Sequence, residues 1–303
     1  QGLHTKVCQV VARELGLDLE AVRISASRTD KVPNTSPTAA SSGADLNGQA
    51  ARDAASRLKS RLFDFAAERY QLDRQDMRLE QGELIAGIGG SERRIAWGEL
   101  IQDAYLGRVS LSEKGFYATP LIHYDRASGS GRPFYYFAYG AAVAEVALDT
   151  LTGEYQVDRV DILHDVGDSL NPAIDVGQVE GGFIQGMGWL TSEELKWNER
   201  GQLTSFGPAT YKIPAYGDLP ATFNVELMQG HPNSMASIYR SKAVGEPPFM
   251  LGMSVWCALR DALASLTDYR QAVRLDTPAT PERVMAAARQ ARKLHESRAG
   301  GTP

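Results

Sequence analysis

The side chain best placed by its neighbours to do chemistry is Glu246, in the stretch "SKAVGEPPFMLGMSVWCALRDAL" (241–263). A lone carboxylate stands between a glycine and two prolines, at the entrance to an apolar helix. The proline after it pushes its backbone toward an extended conformation, and Pro247 suits a first helical turn. Two readings stay open. A carboxylate at a helix N-terminus is favoured by the helix dipole, by roughly 0.3–1 kcal/mol. A carboxylate on a rigid turn in an apolar surround is also a general base, able to take a proton within hydrogen-bond reach. Lys242, four residues earlier, is either its electrostatic partner or an anion contact.

Two further stretches could bind a ligand. In "NTSPTAASSGADLNG" (34–48), small hydroxyl residues feed a helix that starts near Ala44. Such an end presents unpaired N–H groups and partial positive charge, which suit a phosphate or an oxo group. Ala39 and Ala40 would let the backbone come close to a ligand; alternatively, Ser41 or Ser42 merely caps the helix. In "DVGQVEGGFIQGMGW" (175–189), glycines at 177, 181, 182, 186 and 188 each cost a helix roughly 1 kcal/mol against alanine. Either a packed neighbour or a ligand must offset that cost, and the Gln178 amide could bind such a ligand. The pattern is not a dinucleotide fingerprint, because no strand leads in and no ribose-binding acid follows.

Other chemistries find little support. The histidines have no metal-ligand spacing, and there is no P-loop and no GxSxG. His164–Asp165, at a strand end, reads as a surface or loop pair. Cys8 and Cys257 read as two reduced core thiols. They cannot build an iron–sulfur or zinc site, and they suit a reducing compartment such as the cytoplasm.

Several elements must position these residues. Apolar spacing predicts helices over 3–15, ending at Gly16, and over 44–69, 96–106 and 171–195. Two more are predicted from Pro247 and over 281–294. Strands are expected at 21–26, 77–80, 83–86, 93–95 and 108–119. Two long antiparallel strands should follow residue 133, turning at Thr152–Gly153, with strand-like pieces at 209–213 and 222–227. "DRASGSGRP" (125–133) reads as a linker. Strands and helices mix without a βαβ rhythm, which argues for an α+β fold.

The chain of 303 residues is 43% hydrophobic with a net charge of −5. That is enough for one large core or two smaller ones. The absence of a basic stripe argues against nucleic acid, and no apolar run reaches the roughly 18 residues of a membrane span. An amphipathic helix already begins at the third residue, with no initiator Met, so the chain reads as cut from something longer.

Taken in order, "QGLHTK", "VPNTSPTAASSGADLNGQA", "RVSLSEKGFY", "VGDSLNPAIDVGQVEGGFIQGMGWLTSEEL", "GPATYKIPAYGDLP" and "SKAVGEPPFMLGMSVWCALRDAL" resemble the C-terminal part of the molybdenum-binding subunit of the xanthine dehydrogenase/aldehyde oxidase family. The resemblance runs from residue 1 to about 285. It implies an α+β, mixed-sheet molybdopterin-binding domain over 1–290; the linker-like stretch suggests two lobes with a break near 125–133, and the composition of the end of the chain suggests a disordered tail over 291–303. It implies a molybdenum–molybdopterin cofactor contacted by Gln1, Thr38, Ala39, Ala40, Ser41 and Gln178. Gln1 and Ala40 would lie beside the metal without ligating it, and Glu246 would be the catalytic base. The implied reaction oxidises hypoxanthine or xanthine to urate: Glu246 deprotonates a molybdenum-bound hydroxyl, which attacks the purine, and hydride passes to the sulfido ligand. Electrons would leave through 2Fe–2S and FAD on a partner chain, in a hetero-oligomer with two catalytic halves. The purine-orienting residues of the family lie upstream of Gln1, so the chain alone is expected to be inactive. An aldehyde or other N-heterocycle is the alternative substrate. A non-catalytic packing fragment is the alternative of another class.

Overall fold

The structure is a computed structural model, and it describes residues 1–25, 28, 30, 39, 41–87 and 91–299, with side chains as far as Glu296. Helices and small sheets mix, and the chain divides into two compact units. The first unit comprises residues 1–137 and 232–243; the second comprises 138–231 and 244–303.

In the first unit, helix α1 (Leu3–Leu15) buries Lys6, Val10 and Leu15. It stops at Gly16, whose φ of 62° only glycine adopts readily. The stop is also a contact: the Gly16 carbonyl accepts the Gly82 N–H at 2.7 Å, and a Cβ on Gly16 would strike the backbone of Leu79. Helix α2 (Gly43–Tyr70) follows, then strands β1 (Met77–Glu80), β2 (Glu83–Ala86) and β3 (Arg93–Ala96) and helix α3 (Trp97–Leu106). The three strands form an antiparallel meander in which Leu84 faces Leu79 on one side and Ile95 on the other. Phe63, Ala66, Met77, Leu84, Ile95 and Leu100 close the core between helix and sheet.

Three expectations fail in this unit. Residues 21–26 hold no strand: Leu19–Ala21 is a 3-10 turn and 22–25 are irregular, with 26 outside the described residues. Residues 108–119 alternate in burial as a strand does, yet pair with no strand. They run instead along α2, whose side chains take their backbone groups. Arg61 donates to the carbonyls of Ser110 (2.8 Å) and Ser112 (3.3 Å), and Asp53 accepts the Phe116 N–H at 3.2 Å. Gly115 comes so close that a Cβ would overlap the Ala50 carbonyl. The expected linker at 125–133 is a hairpin, β4 (His123–Asp125) and β5 (Ser130–Arg132). Asp125 turns the chain there by accepting the Ala127 N–H and the Ser128 hydroxyl. The chain leaves the first unit only after Phe137.

In the second unit, β6 (Gly140–Leu148) and β7 (Tyr155–His164) pair antiparallel around Gly153. Strand β8 (Thr222–Leu227) pairs parallel to β7. A parallel neighbour needs a long crossover, and helix α4 (Pro172–Thr191) lies in it, so one parallel unit exists where none was expected. Residues 209–213 form a turn closed on the Gly207 carbonyl rather than a strand. The helix expected from Pro247 is a 3-10 segment, Pro247–Gly252, followed by α5 (Met253–Ser265). Helix α6 runs from Pro281 to Ala299, past the expected end. Val160, Val179, Phe183, Leu259, Leu263, Val284 and Ala288 are the centre of this core.

Neither cysteine is a core thiol. Cys8 is half-buried and Cys257 is exposed. Buried Val255, Leu259 and Leu263 mark the inner face of α5, and Cys257 lies two residues, more than half a turn, away from Val255. Among the described residues no helix is long and apolar enough to cross a membrane.

Candidate functional site

Helix α4 is the frame of the site in the second unit. Asn171 caps it by accepting the Ile174 N–H at 3.1 Å, with Pro172 in the first turn. Val179, Phe183 and Met187 form its inward stripe. Beside that stripe lie Gly182 and Gly186. A Cβ on Gly182 would sit 2.9 Å from the Gly245 carbonyl oxygen, and one on Gly186 would overlap the Phe249 carbonyl. Gly252 answers from the other side, since its Cβ would meet the backbone of Gly186 and Met187. The segment that carries Glu246 therefore lies backbone against backbone on α4.

The remaining glycines divide. Gly188 faces Pro214 and the Glu193 side chain, whereas a Cβ on Gly177 or Gly181 would meet nothing within 4 Å. Three of the five are thus explained by a packed neighbour, and two leave an open face. Half-buried Gln178 lies between those two in sequence. One helical turn separates it from Gly182, where the Glu246 segment is seated, so α4 brings Gln178 and Glu246 to the same part of the fold.

Glu246 differs from expectation in two respects. Its backbone is helical (φ −83°, ψ −32°), not extended. The Phe249 N–H closes the turn on the Glu246 carbonyl at 3.0 Å, and buried Val244 and Pro248 pin both sides. Tertiary packing therefore overrides the steric preference of a residue before proline. Nor is the carboxylate in an apolar surround: the apolar neighbours turn inward and Glu246 is exposed. It makes no side-chain cap. It does stand at the expected helix entrance, as the residue before the 3-10 segment Pro247–Gly252, which runs directly into α5.

In the first unit, Gln1 is half-buried and Gly2 follows with φ 64°, its carbonyl accepting the Lys6 N–H at 3.0 Å. Thr38 and Ala40 lie outside the described residues. Ala39 is exposed, and Ser41 is 2% exposed with φ 53°. Ser42 does not cap α2; its hydroxyl donates back to the Ala39 carbonyl at 3.1 Å.

At the start of α2 lies a polar network that sequence reasoning missed. Asp45, in the first turn of α2, accepts the Tyr136 hydroxyl through Oδ2. The same phenol oxygen accepts the Ala243 N–H at 2.8 Å. Lys6, 3% exposed, acts electrostatically on Asp45. Burial pushes the Asp45 carboxyl up, and burial together with the Asp45 charge pushes the Tyr136 phenol up. One signal was available: Lys6 precedes Val10 by four residues, on the face α1 buries.

His164 and Asp165 are buried, 1% and 6% exposed, not on the surface. Asp165 accepts the Gly167 N–H at 2.9 Å and shapes the turn after β7. Among the described residues no three His, Cys, Asp or Glu side chains converge on a metal position.

Residues 1–220 match the model of the molybdopterin cofactor-binding domain family. The chain is 45% identical to xanthine dehydrogenase of Oryza sativa subsp. japonica, over 95% of its length and 20% of the relative's. It is equally similar, 45%, to xanthine dehydrogenase/oxidase of Mus musculus over 94% of its length and 20% of that protein. It thus spans about a fifth of these curated relatives. Among solved structures it resembles CO dehydrogenase of Oligotropha carboxidovorans (TM-score 0.79, 22% identity, 97% of this chain and 35% of that one). It also resembles quinoline 2-oxidoreductase of Pseudomonas putida 86 (TM-score 0.78, 24% identity, 95% and 35%). At such identities the likeness is one of fold.

The residues present fit a pterin cofactor. A flat, heteroatom-rich group needs neutral donors and acceptors and bare backbone to lie on. Gln178 beside the open Gly177 and Gly181 offers both. The chain belongs to the molybdopterin cofactor-binding domain family.

Proposed function

We propose that the chain is the C-terminal part of the molybdenum hydroxylase subunit of a xanthine dehydrogenase, oxidising hypoxanthine and xanthine to urate in the cytoplasm. The observation that carries the reading is the seating of the Glu246 segment on the glycine face of α4, one turn from Gln178. Residues 1–290 are its second molybdopterin-binding domain. When bound, the molybdenum–molybdopterin group supplies the two-electron redox centre of the reaction.

This chain's residues bind, orient and move a proton. Gln178 donates and accepts hydrogen bonds through its amide, and Gly177 and Gly181 let the ligand approach the helix backbone. Gln1, Thr38, Ala39, Ala40 and Ser41 are further cofactor contacts. Glu246 accepts the proton that is lost when oxygen is transferred to the purine. Its rigid turn fixes the carboxylate in place before substrate arrives, which favours general-base catalysis. The electrons leave to 2Fe–2S and FAD on a partner chain, in a hetero-oligomer with two catalytic halves. The chain alone, a fifth of its relatives' length, binds the cofactor weakly and does not turn over.

The 45% identity to proteins named xanthine dehydrogenase favours purine over aldehyde or quinoline, whose namesake structures are under 25% identical. The test is a substrate panel on the full-length, molybdenum-loaded protein. Hypoxanthine and xanthine should give the highest kcat/KM. A preference for aldehydes or quinoline overturns the substrate assignment, and no oxidation of any of them overturns the oxidoreductase reading.

A further inference from the structure

The chain passes between its two units three times, after Phe137, after His231 and after Ala243. Two of these crossings are tied together inside the first unit. Tyr136, the residue before Phe137, accepts the Ala243 N–H and donates to Asp45 in the first turn of α2. One phenol oxygen therefore joins three segments that are distant in sequence. Elsewhere α2 meets the 232–243 segment through Gln49, whose amide donates to the Ala236 carbonyl at 3.2 Å, but among the described residues only the phenol reaches both Ala243 and Asp45. Asp45 is largely buried, and the Ile238 backbone and the Lys6 charge also act on it, so its carboxylate joins α2 to the 232–243 segment from a second side.

The segment leading to Ala243 is strained and tightly held. Tyr239 (φ 44°) and Arg240 (φ 62°) occupy the left-handed region, which is unfavourable for residues with a Cβ. Asn233, 2% exposed, donates to the Ser237 hydroxyl at 3.0 Å and the Ser241 carbonyl at 3.1 Å. Arg240 bonds the carbonyls of Asn233 and Ser234. The Tyr239 ring lies under the Arg13 guanidinium at 3.9 Å, and its hydroxyl donates to Glu14 at 3.1 Å. Fully buried Ile238 packs on Gly48, where a Cβ would be 3.2 Å from its side chain. Strain of this kind persists only where its surroundings impose it, and it concentrates where geometry is functional.

We infer that Tyr136 and Asp45 form a positioning clamp, which fixes the backbone at Ala243, three residues before Glu246, to the first turn of α2. The catalytic consequence rests on the reading of Glu246 as the base; the mechanical coupling rests on the hydrogen bonds alone. Tyr136 is a positioning residue, with no contact to substrate required.

The test is Tyr136→Phe in the full-length, molybdenum-loaded enzyme. Phenylalanine keeps the ring and removes both bonds. Amide exchange at Ala243 and over 43–46 should quicken together, by about tenfold or more, the scale of one or two lost hydrogen bonds. The kcat per bound molybdenum should fall about ten- to a hundredfold, with KM within about twofold, as expected when positioning rather than binding is lost. Asp45→Ala should reproduce this pattern, and Asp45→Asn, which can still accept the phenol, should restore most of it. Wild-type exchange rates at either place in both Tyr136→Phe and Asp45→Ala overturn the clamp. So does quickened exchange with unchanged kcat per molybdenum. Glu246→Ala separates the two readings: if it leaves turnover intact the base assignment fails, while the exchange rates still decide the coupling.

Discussion

The candidate residues of the two units are held by different physics. In the first unit the start of α2 is held by a carboxylate, a buried lysine and a phenol, with strained residues close by in the 232–243 segment. In the second unit the Glu246 segment is held by close backbone packing on Gly182 and Gly186. The first arrangement depends on protons and on single atoms. The second depends on volume. They should therefore fail under different insults.

The largest effect is expected from volume. Gly186→Val puts a branched side chain where the Phe249 carbonyl lies, and backbone cannot give way as a side chain would. A loss of about 3 kcal/mol in urea denaturation is expected, the upper range for overpacking. Turnover per molybdenum should fall with it, because the displaced turn carries Glu246. Unchanged stability would mean that the two backbones are not in contact.

Alkali should strike the first unit sooner. Burial and Asp45 raise the Tyr136 phenol, and burial with Glu14 pushes Tyr239 up to about 12. In the second unit burial pushes Tyr155 up to about 12. A raised phenol is favoured in its neutral form by the fold. Its stabilisation is complete below the unfolded value near 10 and is lost as pH climbs through the folded value. Amide exchange followed from about pH 9 to 12 should report opening around Tyr136 and Tyr239 before the β6–β7–β8 sheet, and Tyr136→Phe should flatten the slope. Prior opening of the sheet would contradict the comparison.

The smallest effect carries the opposite sign. A Cβ on Gly181 meets nothing, so Gly181→Ala should stabilise the cofactor-free protein by about 0.5–1 kcal/mol through helix propensity. It should also lower molybdopterin content, since the methyl group stands on the open face. A gain in stability with normal cofactor content would move the pterin off this face of α4.

Much of this was legible in the sequence, for identifiable reasons. Helix α2, the β1–β2–β3 meander and the β6–β7 pair follow from local periodicity and turn residues, and their bounds fall within a residue or two of expectation where these were set. Residues 108–119 have the strand period but not the strand, because a ladder partner is a tertiary fact and α2 took its place. The glycines of α4 announced an unusual helix. Which of them met a neighbour depended on tertiary contacts: Gly182 and Gly186 meet residues 245–249, and Gly188 meets Glu193 and Pro214. The clamp was hidden for the same reason: Asp45, Tyr136 and Ala243 are ordinary alone and informative only together.

The most direct measurement is the turnover per bound molybdenum of Glu246→Ala in the full-length protein. Glu246 is exposed, so its removal should leave the fold and the molybdenum content near normal. Purine turnover should fall by about a thousandfold, within the range contributed by a general base. Turnover within a few-fold of the wild type, at equal molybdenum content, would contradict the assignment of Glu246 as the base.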